Sequence, residues 1–209
     1  MSGVAVTALI AAGASGSVLA APAAARLAVR LAGVATLPDD GRTALRSEVE
    51  RLWARAGIHI QWADPMSPEP PGEAVLQVIV VSRRAVTSGD DHTWPVAELV
   101  GASTDRPVAV ASLEAAWRVV DVAYEGSEPN SIRLQRLGRV LGRAVAHEIG
   151  HHLLGRQHSL RGLMRARIDA ADFGDLRDGG FELDRADRSA AVMAAGGGAL
   201  RLAGLRARR

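Results

Sequence analysis

Apolar and polar positions change period several times along this chain, and the changes mark out its elements. "RLAVRLAGV" (Arg26–Val34) alternates in part and predicts a first strand. The next stretch, "LPDDGRTALRSEVERLWARAGI", has apolar residues at Leu45, Val49, Leu52, Trp53 and Ala56. Spacings of three and four predict an amphipathic helix with Arg and Glu outward, ended by Gly57. "IHIQW" (Ile58–Trp62) returns to alternation and predicts a second strand. After a proline-rich loop (Asp64–Glu73), the continuous apolar run "AVLQVIVVS" (Ala74–Ser82) predicts a central strand buried on both faces. A turn-rich excursion (Arg83–Pro95) precedes two shorter strand candidates, "AELVGAS" (Ala97–Ser103) and "PVAVAS" (Pro107–Ser112), split by the turn "TDR". "LEAAWRVVDVAY" is helical or mixed and runs into the breaker "EGSEPN".

From Ser131 a long helix is predicted, with Ile132, Leu134, Leu137, Val140, Leu141 and Val145 on its apolar side. Asn130 or Ser131 can cap its start, and Gly155 can end it in the left-handed conformation. Gly138 and Gly142 weaken it slightly but let a neighbour come close. A polar segment (Arg165–Asp178) and a short helix around Leu183–Ala194 follow. No internal repeat is present. Strands clustered ahead of one long helix predict a single α+β domain over residues 25–195, its mixed, twisted sheet packed on the first helix and the long one. Residues 196–209 form a Gly/Ala/Arg-rich tail.

Composition narrows the function classes. The chain has 209 residues, 48% of them hydrophobic, enough for a sizeable core despite only 3% aromatics. All basic residues are Arg, and the net charge is only +2. No run combines clustered Arg with stacking aromatics, so nucleic acid is not an expected partner. Cysteine is absent, which excludes disulfides, thiol catalysis and Cys-ligated zinc. A metal site must use His, Asp or Glu. The uncharged Val4–Ala25 stretch, with "VLA" ending at Ala20, reads as a secretory signal or flexible leader over residues 1–24. Export to the periplasm or medium is therefore expected, with a cytosolic leader as the alternative. Ala, Gly, Ser and Pro22 make it a poor membrane span.

Four of the six histidines lie in "AVAHEIGHHLLGRQHSLRGLM" (Ala144–Met164). Residues four apart share a helix face, so His147 and His151 can offer two imidazole nitrogens to one ion. Glu148 can reach a coordinated water. Zinc with three protein ligands and one open position lowers the pKa of such a water to about 7. Glu148 then serves as general base and returns the proton to a leaving amine. Uncharged flanks let the motif face be buried, and His158 follows on the returning loop as the expected third ligand. Glu182 in "GGFELDRAD" is the main alternative, giving a His-His-Glu site, with Asp172 or Asp187 behind it. His152 points about 100° away along the helix and reads as a neighbour of the site, not a ligand. His59 reads as a structural strand residue and His92 as a polar loop tip.

The stretch resembles the zincin metallopeptidases and, within them, the metzincins. Their pattern is His-Glu-x-x-His-x-x-Gly-x-x-His followed by a methionine-bearing turn. Here it reads His147, Glu148, His151, Gly155, His158 and then "SLRGLM" with Met164. The "HS" and "LM" are similar to the matrixin-type ending, and "HE.GH.LLG…HS..G.M" is similar to a group of uncharacterised bacterial proteins. The opening "RLAVRLAG…VERLWARAGIHIQWAD" also looks like a metzincin catalytic domain. The resemblance covers most of residues 26–190, and its specific part is 144–164. Gly155 and His158 each sit one residue late, which rotates the helix exit by about 100° and leaves the loop to absorb it. No tyrosine follows Met164, and Arg161 or Arg165 could take its place in stabilising an oxyanion. The resemblance implies a zincin-like fold, one catalytic Zn2+ and a peptide substrate bound as an added strand on "AELVGAS" or "PVAVAS". It also implies that no cysteine latch operates. A zinc hydrolase of a non-peptide amide or ester, and a metal-binding protein with little turnover, are the alternatives.

Overall fold

A computed structural model describes residues 25–64, 75–82, 96–100, 107–123, 128–155, 157–166, 168–174 and 180–196. The leader, the tail, His92, the Arg83–Pro95 excursion, the "TDR" turn and nearly all of the proline-rich loop lie outside the described residues.

The chain forms β1 (Ala25–Ala32), α1 (Asp39–Arg55), β2 (Ile58–Ala63), β3 (Val75–Val81), β4 (Ala97–Val100), β5 (Val108–Ser112), α2 (Leu113–Ala123), α3 (Asn130–Leu154), α4 (Ala170–Gly174) and α5 (Arg185–Gly196). The strands make one sheet in the order β2-β1-β3-β5-β4. β2, β1, β3 and β5 run parallel, while β4 pairs antiparallel with β5 at the end of the sheet. This is the expected single α+β domain with a mixed sheet. Among the described residues, no helix is long and apolar enough to cross a membrane.

Register explains how one face of the sheet becomes the core. Leu27 stands opposite Ile60, Leu31 opposite Val78, and Val78 opposite Ala109, and all five side chains are buried. They join Leu45, Val49, Leu52 and Trp53 of α1 and the apolar positions of α3 in one cluster. The opposite face carries exposed Arg26, His59 and Gln61 and half-buried Gln77, Ile79 and Val81. β3 is the middle strand, as expected, but it is fully buried on one face only. The sheet is covered completely on the side where α1 and α3 lie, so Leu76, Val78 and Val80 vanish from solvent while their alternates do not. "PVAVAS" is also corrected: β5 is paired on both sides, and β4, the "AELV" of "AELVGAS", stands at the edge, the rest of that stretch lying outside the described residues.

α1 and α3 pack closely because their contact is notched. A Cβ on Gly138 would stand 2.2 Å from the Gly41 carbonyl oxygen, and one on Gly142 would stand 2.8 Å from the Leu45 oxygen. Across this seam Glu48 and Arg143, both buried, pair at 2.8 Å. Arg143 also donates to the Asp172 and Phe173 carbonyls of α4 at 3.1 and 2.8 Å, and its guanidinium lies over the Phe181 ring. Burial alone would raise the Glu48 carboxyl. The hydrogen bonds and charges of Arg51 and Arg143 outweigh that and hold it below its ordinary value.

The ends of α3 differ from expectation. Pro129 is the N-cap and no side-chain hydrogen bond caps the helix, because the proline ring has no oxygen to accept from the first-turn N–H groups. At the other end, the Gly155 N–H donates to the His151 carbonyl at 3.0 Å, with φ 86° and ψ −168° at Gly155. That is not the left-handed helical conformation but an extended one open essentially to glycine alone. It throws the chain outward toward His158.

Candidate metal centre

α3 delivers His147, Glu148 and His151 from its last two turns, and the loop after Gly155 delivers His158. His147 and His151 are half-buried, His158 is exposed and Glu148 is buried. The three rings converge. Their centroids lie 4.6 Å (His147 to His151), 4.7 Å (His151 to His158) and 5.5 Å (His147 to His158) apart.

Backbone carbonyls orient two of these rings. The Nδ1 of His147 lies 2.6 Å from the Leu163 carbonyl, and the Nδ1 of His151 lies 3.0 Å from the Gly155 carbonyl. A carbonyl can only accept, so each Nδ1 carries the proton and each Nε2 keeps its lone pair. Burial, countered by the Leu163 bond and reinforced by the neighbouring imidazoles, lowers the His147 pKa to about 4. The ring is therefore neutral at physiological pH, as a metal ligand must be.

One nitrogen from each of His147, His151 and His158 lies within 4.8 Å of the others, and this is the group that can hold a metal ion among the described residues. A tetrahedral ion with bonds of about 2.0–2.1 Å needs donors about 3.4 Å apart. The cluster must contract by at most about 1.4 Å, within reach of side-chain torsions. A neutral, all-imidazole donor set also suits a divalent ion of borderline softness.

The loop from His158 to Arg165 is tied down by its own backbone and by the segment ahead of α5. The Ser159 N–H donates to the Met164 carbonyl at 2.8 Å, and Ser159 forms a β-bridge with Arg165. The Ser159 hydroxyl donates to Asp187 at the start of α5. Leu163 N–H donates to the Glu182 carbonyl at 3.2 Å. Gly162 has φ 80°, and a Cβ there would stand 2.1 Å from the same oxygen. The loop is thus closed on itself and fastened to the segment leading into α5.

Met164 lies beneath the ligand helix. It is buried, and a Cβ on Gly150 would fall 2.0 Å from its sulfur. Gly150 sits between His147 and His151 on the helix, so its missing side chain makes room for the methionine. Sequence reasoning overlooked this position, although the small residue inside "HEIGHH" was the available signal. It also overlooked the Leu163 and Gly155 carbonyls, since which carbonyl meets a ring depends on the path of the loop.

The alternative ligands are engaged elsewhere. The Glu182 carboxylate is exposed and pairs with Arg55 at 3.2 Å. Asp172 pairs with Arg165 at 2.7 Å, and Asp187 holds Ser159. His152 stays out of the cluster, as its helical phase predicts. Burial lowers its pKa to about 4, and its Nε2 has no hydrogen-bond partner among the described residues. His59 is exposed on the outer face of β2 and has no place in the core. Of the two arginines considered for an oxyanion, Arg165 is committed to Asp172 and Arg161 is exposed.

No family model and no curated protein matches this chain. The functional reading rests on the chemistry of these side chains.

Proposed function

We propose that this protein is a zinc-dependent metallopeptidase of metzincin kind, with His147, His151 and His158 as ligands and Glu148 as general base. One observation carries the reading. The three imidazoles converge while a buried carboxylate follows the first ligand directly on the helix. A bound zinc ion would supply Lewis acidity, lowering the pKa of a coordinated water to about 7 and polarising the scissile carbonyl.

The chain's own residues do the rest. Glu148 takes a proton from the attacking water as its oxygen bonds to the carbonyl carbon, and returns it to the amine nitrogen as the C–N bond breaks. The Leu163 and Gly155 carbonyls keep the His147 and His151 rings in the ligating tautomer. β4 ends the sheet beside α3 and is antiparallel to its neighbour. An extended peptide added to its outer side would gain main-chain hydrogen bonds. This edge favours a peptide over a small amide or ester. The uncharged Val4–Ala25 segment supports export, which N-terminal sequencing of protein recovered outside the cytoplasm tests.

The experiment is to measure bound zinc and peptide cleavage for the wild type, Glu148→Gln, His158→Ala and Glu182→Ala. Zinc kept with cleavage lost in Glu148→Gln, and zinc lost only in His158→Ala, are the expected results. Zinc unaffected by His158→Ala overturns the third ligand.

A further inference from the structure

Two side chains on the loop that supplies His158 play no part in the centre as described. Leu160 is 102% exposed, the most exposed large hydrophobic side chain among the described residues. Arg161 beside it is exposed, with no ion-pair or hydrogen-bond partner among the described residues. A lone apolar residue on a surface is ordinary. Val122 on α2 and Met193 on α5, at 71% and 70%, are of that kind.

The setting of Leu160 differs in two respects. It follows His158 by two residues, so the two Cα atoms are within about 7 Å by chain length alone. Its loop is also held at every corner: Ser159 by Met164, Arg165 and Asp187, and Leu163 by Glu182. The same loop supplies the Leu163 carbonyl that orients His147. Leu160 and Arg161 are therefore displayed from a fixed frame beside the centre, and little ordering remains to oppose a contact with a ligand.

We propose that Leu160 and Arg161 form the substrate-selecting rim of the centre, Leu160 packing on a large apolar side chain of a bound peptide and Arg161 pairing with an adjacent carboxylate. The inference rests on the peptidase reading and names the peptide class that it prefers. Partial burial of a leucine side chain against substrate is worth about tenfold in selectivity. An exposed ion pair is worth about threefold and fades with salt.

The test uses the full chain loaded with zinc. A Leu-Glu pair is walked through a glycine-alanine decapeptide, with Ser-Glu, Leu-Gln and Ser-Gln pairs as controls. Cleavage is followed with wild type, Leu160→Ser and Arg161→Gln. Binding of the same peptides is followed by fluorescence anisotropy in a Glu148→Gln background, where turnover is not needed. Leu160→Ser is expected to lower kcat/KM and affinity about tenfold for Leu-containing peptides only. Arg161→Gln is expected to lower them about threefold for Glu-containing peptides only, the difference vanishing near 0.5 M salt. Zinc content and Tm stay at wild-type values. Equal changes across all four peptides, or none, overturn the proposal. Peptide binding that depends on Leu160 without any cleavage by the wild type upholds the rim and refutes the peptidase. Cleavage with binding indifferent to Leu160 does the reverse. Neither binding nor cleavage refutes both.

Discussion

Arg143 and His147 are one turn apart on the same helix, yet their surroundings are built on opposite terms. Around Arg143, α1 and α3 meet backbone to side chain across Gly138 and Gly142, and the buried guanidinium is engaged by Glu48, two carbonyls and a ring. Around His147, three imidazoles face one another, with backbone carbonyls holding the Nδ1 sides of His147 and His151. The first region consumes its polar groups internally and fixes the helix. The second brings together three imidazole nitrogens that could hold one metal ion. A rigid upstream half is what allows the downstream half to keep its imidazoles oriented.

The comparison breaks hardest at Glu148. Glu148→Gln keeps the cluster's three imidazoles and removes the proposed base, so under the peptidase proposal peptide cleavage is expected to fall by about 10²–10⁴ with zinc content unchanged in the same preparation. At the rigid end, Arg143→Met removes one of the two arginines paired with buried Glu48 and frees the Asp172 and Phe173 carbonyls, leaving Arg51 on the carboxylate, and is expected to cost about 2–3 kcal/mol in urea unfolding. The double change Glu48→Leu with Arg143→Met is expected to recover most of that loss, because an apolar pair carries no desolvation penalty.

Acid sharpens the same contrast. The Glu48 carboxyl is held below its ordinary value of 4.5, so its ionised form binds fewer protons in the fold than in the unfolded chain. Its contribution is complete above pH 4.5 and is lost as pH falls from there through the folded value. Unfolding free energies measured across that window should drop in the wild type and flatten in the double variant. Smallest in stability is Gly150→Ala, expected to cost about 1 kcal/mol because the displaced Met164 side chain can shift. It should still weaken zinc binding about tenfold, as zinc competition with a chelating dye would register.

Much of this was legible in the sequence where a period decided it. The spacing of Leu45, Val49, Leu52 and Trp53 predicted α1, and each is buried. The i, i+4 histidines shared a face because helical phase demands it, and the same phase kept His152 apart. What the pattern could not carry depended on neighbours distant in sequence. Continuous apolar character in β3 did not reveal that only one face is fully covered. "PVAVAS" and "AELVGAS" looked equivalent until pairing made one of them interior. The choice between His158 and Glu182 turned on where a loop returns, and that return depends on Gly155, Gly162 and the Ser159–Asp187 contact together.

The most direct test of the central claim is equilibrium metal analysis of the full chain, dialysed against limiting zinc, for the wild type and His147→Ala. The account predicts one zinc per wild-type chain and none in His147→Ala. A wild-type chain that binds no zinc, or a His147→Ala chain that binds as much, would contradict it.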